Sequence, residues 1–410
     1  MNHMISKKFA FKIFEAFSIQ RWNDLIRPFD IVEMDKAAEK IIIAYIIGKF
    51  EEAAEQAIDW EWIAYASLFD LLRKIALCDI KAPIQRLLKT NYAQEYQRLN
   101  DWVLAQYRPL IHDDDLFARF EQYIGQKAGT VPVPDQATAA SRVYRAAHKY
   151  STIRELHMLS VVNERERLEK IERELEADIQ PYLGLQGLQM FLTHGRAFDF
   201  LLKIEQLRFQ MRWNQTPRVP KTSVLGHSYF VAVMTLLLGR STGISFCKKR
   251  TTNNFYSALF HDLPEAVTRD IISPVKQATD ALPDIVKQIE TEIVKSELVP
   301  LMEPFYIDEL MYFIGNEFSN RIRCNGESRE VSFDDLNTEY NHDRFNPVDG
   351  KLVRVADHLA ALMEADSSIR HGTTSVHLET GRDSMLAAYP AGHRINGIDV
   401  GSLFQSIVGQ

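Results

Sequence analysis

Apolar residues recur along this chain at spacings of three and four, the period that puts one face of a helix into a core. The pattern is clear in Ile63 to Leu72, Arg142 to Leu159 and Lys351 to Met363, and it predicts a helix over each. Two denser runs, Ile41 to Gly48 and Tyr229 to Gly239, read as buried core helices. Long alternating β runs are missing, so the expected fold class is all-α. The stretch NERERLEKIERELEAD, Asn163 to Asp178, predicts a charged helix with a thin apolar stripe, read as a solvated bridge between two domains. Pro181, Gly184 and Gly187 follow as a linker, and the stretches 129–135 and 324–350 read as polar, turn-rich loops.

A repeat divides the chain. Arg21-Trp22-Asn23 returns as Arg212-Trp213-Asn214, 191 residues later. An apolar helix follows each, AAEKIIIAYIIG and then HSYFVAVMTLLLG. AYASLFDLLRKIALCDIKAPIQ is answered by YSALFHDLPEAVTRDIISPVKQ, and SRVYRAAHKY by KLVRVADHLA. Several anchors in one order at nearly one offset predict two copies of one helical domain, over residues 1–180 and 186–410. Four hundred and ten residues suffice for two such domains.

Composition narrows the class. Hydrophobic residues at 46% and charged residues at 25% are ordinary for a globular chain. A net charge of −7 gives no general attraction for nucleic acid or an anionic membrane. Cys78, Cys247 and Cys324 lie far apart without a CxxC pair, which points to free thiols in a reducing compartment. The opening MNHMISKKFAFKIFEAF lacks the unbroken apolar stretch of a signal peptide, and the longest apolar runs fall short of the roughly 18–20 residues that span a bilayer. The expectation is a soluble, cytoplasmic protein.

Chemistry gathers in the second copy, at His227, His261-Asp262 and Asp357. Imidazole nitrogens with carboxylate oxygens suit a divalent transition metal or magnesium. Glu265 stands four residues after His261, on the same face if the helix continues, and Asp270 precedes Pro274, where that helix should stop. Asp357 is a carboxylate inside an apolar helix, costly unless paired.

This set, followed by HDLPEAVTRDIISPVK, resembles the HD-domain metal-dependent phosphohydrolases, and within them the bacterial 5′-deoxynucleotidase branch. The shared features are an Arg-Trp pair 15 residues before the first His, a Glu and an Asp four and nine residues after the second, and a closing Pro-Val-Lys. The resemblance implies that His227, His261, Asp262 and Asp357 hold one divalent ion, cobalt, manganese or a similar transition metal, with magnesium or zinc as further candidates. It implies that Glu265 and Asp270 are the acid–base and water-positioning carboxylates. Arg212 would meet the phosphate, Trp213 would wall the sugar pocket, and Lys276 would add a substrate contact. Two positions depart from the branch: Gly226 replaces a usual acid, and Arg269 a usual glycine.

The substrate implied is a nucleotide phosphomonoester, best a deoxyribonucleoside 5′-monophosphate. Rival readings are deoxynucleoside triphosphate hydrolysis, cleavage of a cyclic or alarmone nucleotide, and a non-catalytic nucleotide sensor. In the first copy Asp35, Phe69-Asp70 and His148 stand at the matched positions, with Arg73 or Lys74 near the place of Glu265. Phe69 cannot ligate and a cation there repels another, so this copy is expected to be degenerate and metal-free. The resemblance also implies pairing, as an internal pseudo-dimer of the two halves or a homodimer.

Overall fold

Ser223 accepts a hydrogen bond from the Gly226 backbone N–H and so starts the apolar helix Val224–Ser241. Asp59 does the same for Trp60–Leu77 through the N–H of Trp62. Such caps, with the helical period of the core residues, account for an all-α protein carrying small β additions. The computed structural model describes residues 5–269 and 279–409. Its contacts cluster in two compact units that divide between Leu188 and Gln189.

The first unit is built on the helices Glu33–Ala53, Trp60–Leu77 and Thr138–Leu159, which pack on one another. Ile41 to Ile47 are all buried along the first of these. The charged helix Arg165–Ile179 buries only Leu168 and Ile179. It does not bridge the units: it lies within the first, where Arg86 pairs with Glu174 and Asp178, and Lys149 with Asp178. The presumed linker is not loose either. A Cβ on Gly187 would come within 2.7 Å of the Ile47 Cα, so only glycine allows this segment to lie so close.

In the second unit Val224–Ser241 lies against Lys248–Phe260 and Gly350–Arg370. Val224–Ser241 has the length and composition of a membrane span, yet 94% of it is buried inside the protein. The loop predicted from 324 onwards in fact contains strand structure. Asn320–Cys324 pairs antiparallel with Glu327–Glu330 and with Val348–Asp349. Asn325 and Gly326, at φ +53° and +85°, make the two-residue turn between the first pair. A second hairpin, Arg394–Ile395 with Ile398–Asp399, turns on Asn396-Gly397 in the same way.

One buried ion pair fixes the helices that carry the site. Arg250 donates from Nε and Nη2 to the two oxygens of Asp349 at 2.7 and 2.6 Å, and neither side chain is exposed. Asn254 adds two bonds of 2.7 Å, one to the Asp349 carboxylate and one from its backbone N–H. The helix that ends at Phe260 is thereby tied to the start of the helix that bears Asp357. Replacing Asp349 with Ala strands a buried guanidinium and is expected to cost about 3–5 kcal/mol in urea unfolding. A loss below about 1 kcal/mol would show that the pair does not hold these helices.

Candidate metal centre

The site begins with a short bridge. Met211 pairs with Ser223, and Arg212 donates its backbone N–H to Thr222 at 3.0 Å. This sets Arg212-Trp213 beside the first turn of Val224–Ser241, where His227 is fully buried. Lys248–Phe260 ends in a turn that carries His261-Asp262. The expected continuous helix through Glu265 is not present. Pro264 has no N–H to give to Phe260, so residues 261–264 turn and a four-residue helix, Glu265–Thr268, restarts beyond them. Arg269 ends it at φ +62°, ψ 162°, a conformation that suits glycine and explains why glycine is usual there. Asp270 and Lys276 lie outside the described residues.

His227, His261 and Asp262 each offer one ligand atom, and these lie within 4.8 Å of one another. Asp357 joins them, its Oδ1 3.0 Å from His227 Nε2. Asp262 Oδ2 stands 3.3 Å from His261 Nε2 and 3.9 Å from His227 Nε2. The other imidazole nitrogens are held from behind. His261 Nδ1–H donates to the Ala258 carbonyl at 2.7 Å, and His227 Nδ1 faces Glu364 Oε1 at 3.3 Å. Both rings therefore turn Nε2 towards the shared point, the arrangement of a histidine oriented for a metal.

These atoms fit a divalent cation. His261 Nε2 and Asp262 Oδ2 are buried and have no hydrogen-bond partner. Two such atoms 3.3 Å apart incur a desolvation cost that a shared cation would offset. Burial and Arg212 oppose a charged His227, yet Glu364 and Asp357 lift its pKa above the ordinary imidazole value. Burial raises the Asp357 carboxyl, but His227 and Arg212 hold it well below the usual range. Between these two residues a proton and a metal ion compete for one place.

Arg212 and Glu364 complete the centre. Arg212 lies 3.7 Å from Asp262, 3.9 Å from Asp357 and 3.5 Å from Glu364, and its Nε has no hydrogen-bond partner. Three carboxylates thus hold the guanidinium electrostatically without saturating it. Glu364 is 1% exposed and takes bonds from Trp213 Nε1 at 2.9 Å and Thr222 Oγ1 at 2.8 Å, besides His227. Burial raises its carboxyl, and Arg212, Arg218 and His227 bring it far below the usual range. The sequence reading missed Glu364, although it lies two helical turns past Asp357 on the same face. The Trp213 ring rests on Gly381, where a Cβ would come within 2.5 Å of the indole. Glu265 is buried and lies within electrostatic range of Arg212.

The first unit has the same frame with the charges changed. Gln20 pairs with Val32, and Arg21-Trp22 sits beside the helix Glu33–Ala53. Trp22 Nε1 donates to Glu155 at 2.8 Å, and Arg21 grips Glu155 through Nε and Nη2 and Glu33 through Nη1. The two bridges align Lys36 with His227, one position beyond the Asp35 expected from the sequence match. Lys40 reaches Asp70 at 2.5 Å and Lys127 pairs with the other oxygen, so two ammonium groups occupy Asp70. Burial drives Lys36 down to about 7, against the pull of Glu155.

That shift has a sign. The folded chain binds fewer protons than the unfolded chain between about pH 7 and the ordinary lysine value near 10.4, so stability rises with pH there. Four of the five tryptophans lie in the first unit, so indole fluorescence during urea unfolding reports mainly on it. Lys127, lowered by burial to about 8, adds a gain of the same sign, so Lys36→Met should reduce the slope between pH 7 and 9 by up to about 1.4 kcal/mol per unit without abolishing it. An unchanged slope in that variant would assign the effect to other groups.

Comparison with known proteins bears on the second unit alone. A search of curated proteins returns no match to the chain. Residues 204–385 match the family model described as HD domain, and this stretch holds His227, His261-Asp262, Asp357 and Glu364. The segment of this chain that gathers the imidazoles and carboxylates is therefore the one that resembles an HD domain.

Proposed function

We propose that the second unit is a metal-dependent phosphohydrolase acting on a nucleotide phosphomonoester, foremost a deoxyribonucleoside 5′-monophosphate. The observation that carries this reading is the pair of inward, unbonded atoms, His261 Nε2 and Asp262 Oδ2, beside His227 and Asp357. The HD-domain match supports it, because such domains are typically metal-dependent phosphohydrolases. We also read the two units as copies of one domain, the first having exchanged its cation for lysines.

His227, His261, Asp262 and Asp357 would hold the ion, which supplies Lewis-acid neutralisation of phosphoryl oxygens and a more acidic water. Arg212, unsaturated and aimed at the same point, binds the phosphate through its fork. Glu364 keeps His227 in one tautomer and fixes the Trp213 indole, whose ring forms a wall for the sugar. Glu265 and Asp270 divide the proton work, one taking a proton from water and the other returning one to the leaving oxygen. No nucleophilic Ser or Cys motif is needed, since water attacks directly.

A second reading rests on a cavity of about 380 Å³. Lys287, Lys351 and Arg354 line it with Phe318 and Tyr389. Phe318 is 6.1 Å from the His261 ring, and Arg354 stands one turn before Asp357. Glu317 also lines the cavity and lies 3.7 Å from Lys287, so Lys351 and Arg354 are the cations that favour a substrate with more than one phosphate. Product analysis separates the two: orthophosphate and nucleoside support the first, tripolyphosphate or pyrophosphate the second.

A screen of ribo- and deoxyribonucleotides with one to three phosphates, supplemented with cobalt or manganese, is expected to give turnover that a chelator removes. Asp262→Ala should lower kcat at least about a thousandfold while the variant still folds. Turnover that survives both chelation and this substitution would overturn the reading. Glu364→Gln keeps the shape but loses the charge behind His227, and should weaken metal affinity about 10–100-fold in a direct titration. Unchanged affinity would show that Glu364 serves Trp213 and Arg212 only.

A further inference from the structure

The first unit concentrates positive charge where the second concentrates negative charge. Arg73 is 1% exposed, and among the described residues it has no carboxylate partner. Its Nη1 and Nη2 meet only the neutral Gln85 and Tyr96, at 3.1 and 3.3 Å, and its buried Nε has no hydrogen-bond partner. Lys89 lies close by, its ammonium donating to the Lys127 carbonyl at 2.8 Å. Lys127 and Lys40 share the single carboxylate of Asp70. Arg145 is exposed, has no ion pair among the described residues, and lies near enough to Lys89 to disfavour its charge, as Arg73 also does.

Arg73, Lys89 and Arg145 therefore gather beside two lysines that already share one carboxylate. A buried guanidinium without a counter-charge is costly, and four unit charges of like sign at close range repel. A small anion carrying two or more charges would offset both terms. Arg73 offers the planar fork that fits phosphate oxygens, and the lysines offer point charges around it. The Tyr96 and Tyr123 side chains lie in the same cluster, Tyr96 against Arg73 and the Tyr123 hydroxyl 3.4 Å from Lys127 Nζ.

We propose that the first unit binds a small phosphate-bearing anion between Arg73, Lys89, Lys127 and Arg145. The site draws its cations from four helices of the first unit: Arg73 from Trp60–Leu77, Lys89 from Ala82–Asn91, Lys127 from Asp114–Ala128 and Arg145 from Thr138–Leu159. It does not depend on the hydrolase reading, because none of its residues belongs to the second unit. A phosphate ligand here gives the chain a means to sense the concentration of a nucleotide or of orthophosphate.

The test uses the full chain in excess chelator, titrated calorimetrically with orthophosphate, a deoxynucleoside 5′-monophosphate and the unphosphorylated nucleoside. Binding of either or both phosphate-bearing probes, but not of the nucleoside, is expected, and which binds more tightly identifies the source. Lys89→Ala with Arg145→Ala changes only exposed residues, so the fold survives, and it should weaken binding at least tenfold. The same titrations on Arg212→Ala, which lacks the phosphate-binding group assigned to the second unit, should still show the binding assigned here. The proposal is overturned if the wild-type chain binds neither probe, if the double variant binds as well as wild type, or if Arg212→Ala abolishes binding. Absence of hydrolysis by the metal-supplemented wild-type chain, with phosphate binding retained, would reject the function proposed above and leave this site standing.

Discussion

Burying carboxylates in a helical core is tolerable only when a positive charge is buried with them. Each unit of this protein obeys that constraint and meets it differently. The second places Asp262, Asp357 and Glu364 around two imidazoles and one arginine, and leaves inward atoms without partners. The first places Asp70 between two lysines, which supply the positive charge from within the chain. The two units thus differ in which side chains supply that charge.

The frame that carries these charges is common to both. An Arg-Trp pair, held by a short bridge, turns towards a glutamate two helical turns beyond the last site residue, Glu155 after His148 and Glu364 after Asp357. In the first unit Glu155 and Glu33 saturate Arg21, which becomes a structural clamp. In the second, Val224 stands where Glu33 stands, and Arg212 lies 3.5–3.9 Å from three carboxylates with its Nε making no hydrogen bond.

Much of this was legible in the sequence. Helical periodicity marked the core helices, because burial of one face imposes that period directly. His227, His261, Asp262 and Asp357 stood out because such residue types are rare inside apolar runs, and the fold brings their side chains together. Glu364 was not, since a glutamate on a long helix looks like any surface charge until its depth is known. Lys36 was misplaced by one residue, because helix starts are set by bridges that spacing alone does not reveal. The break at Pro264 was misplaced to Pro274, although the missing N–H was readable. The Asn325-Gly326 and Asn396-Gly397 turns were equally readable as hairpin signals and were taken for loop. What could not be read at all was the gathering of Lys40, Lys127, Lys89 and Arg73, which are distant in sequence and meet only in the fold.

The most direct test of the account is metal content. The purified chain, loaded with cobalt or manganese and freed of excess, should retain one ion per molecule by elemental analysis. Asp262→Ala should retain none, and Asp70→Ala should still retain one. Retention by Asp262→Ala, or none by the wild-type chain, would contradict the claim that the second unit's imidazoles and carboxylates are built around a cation.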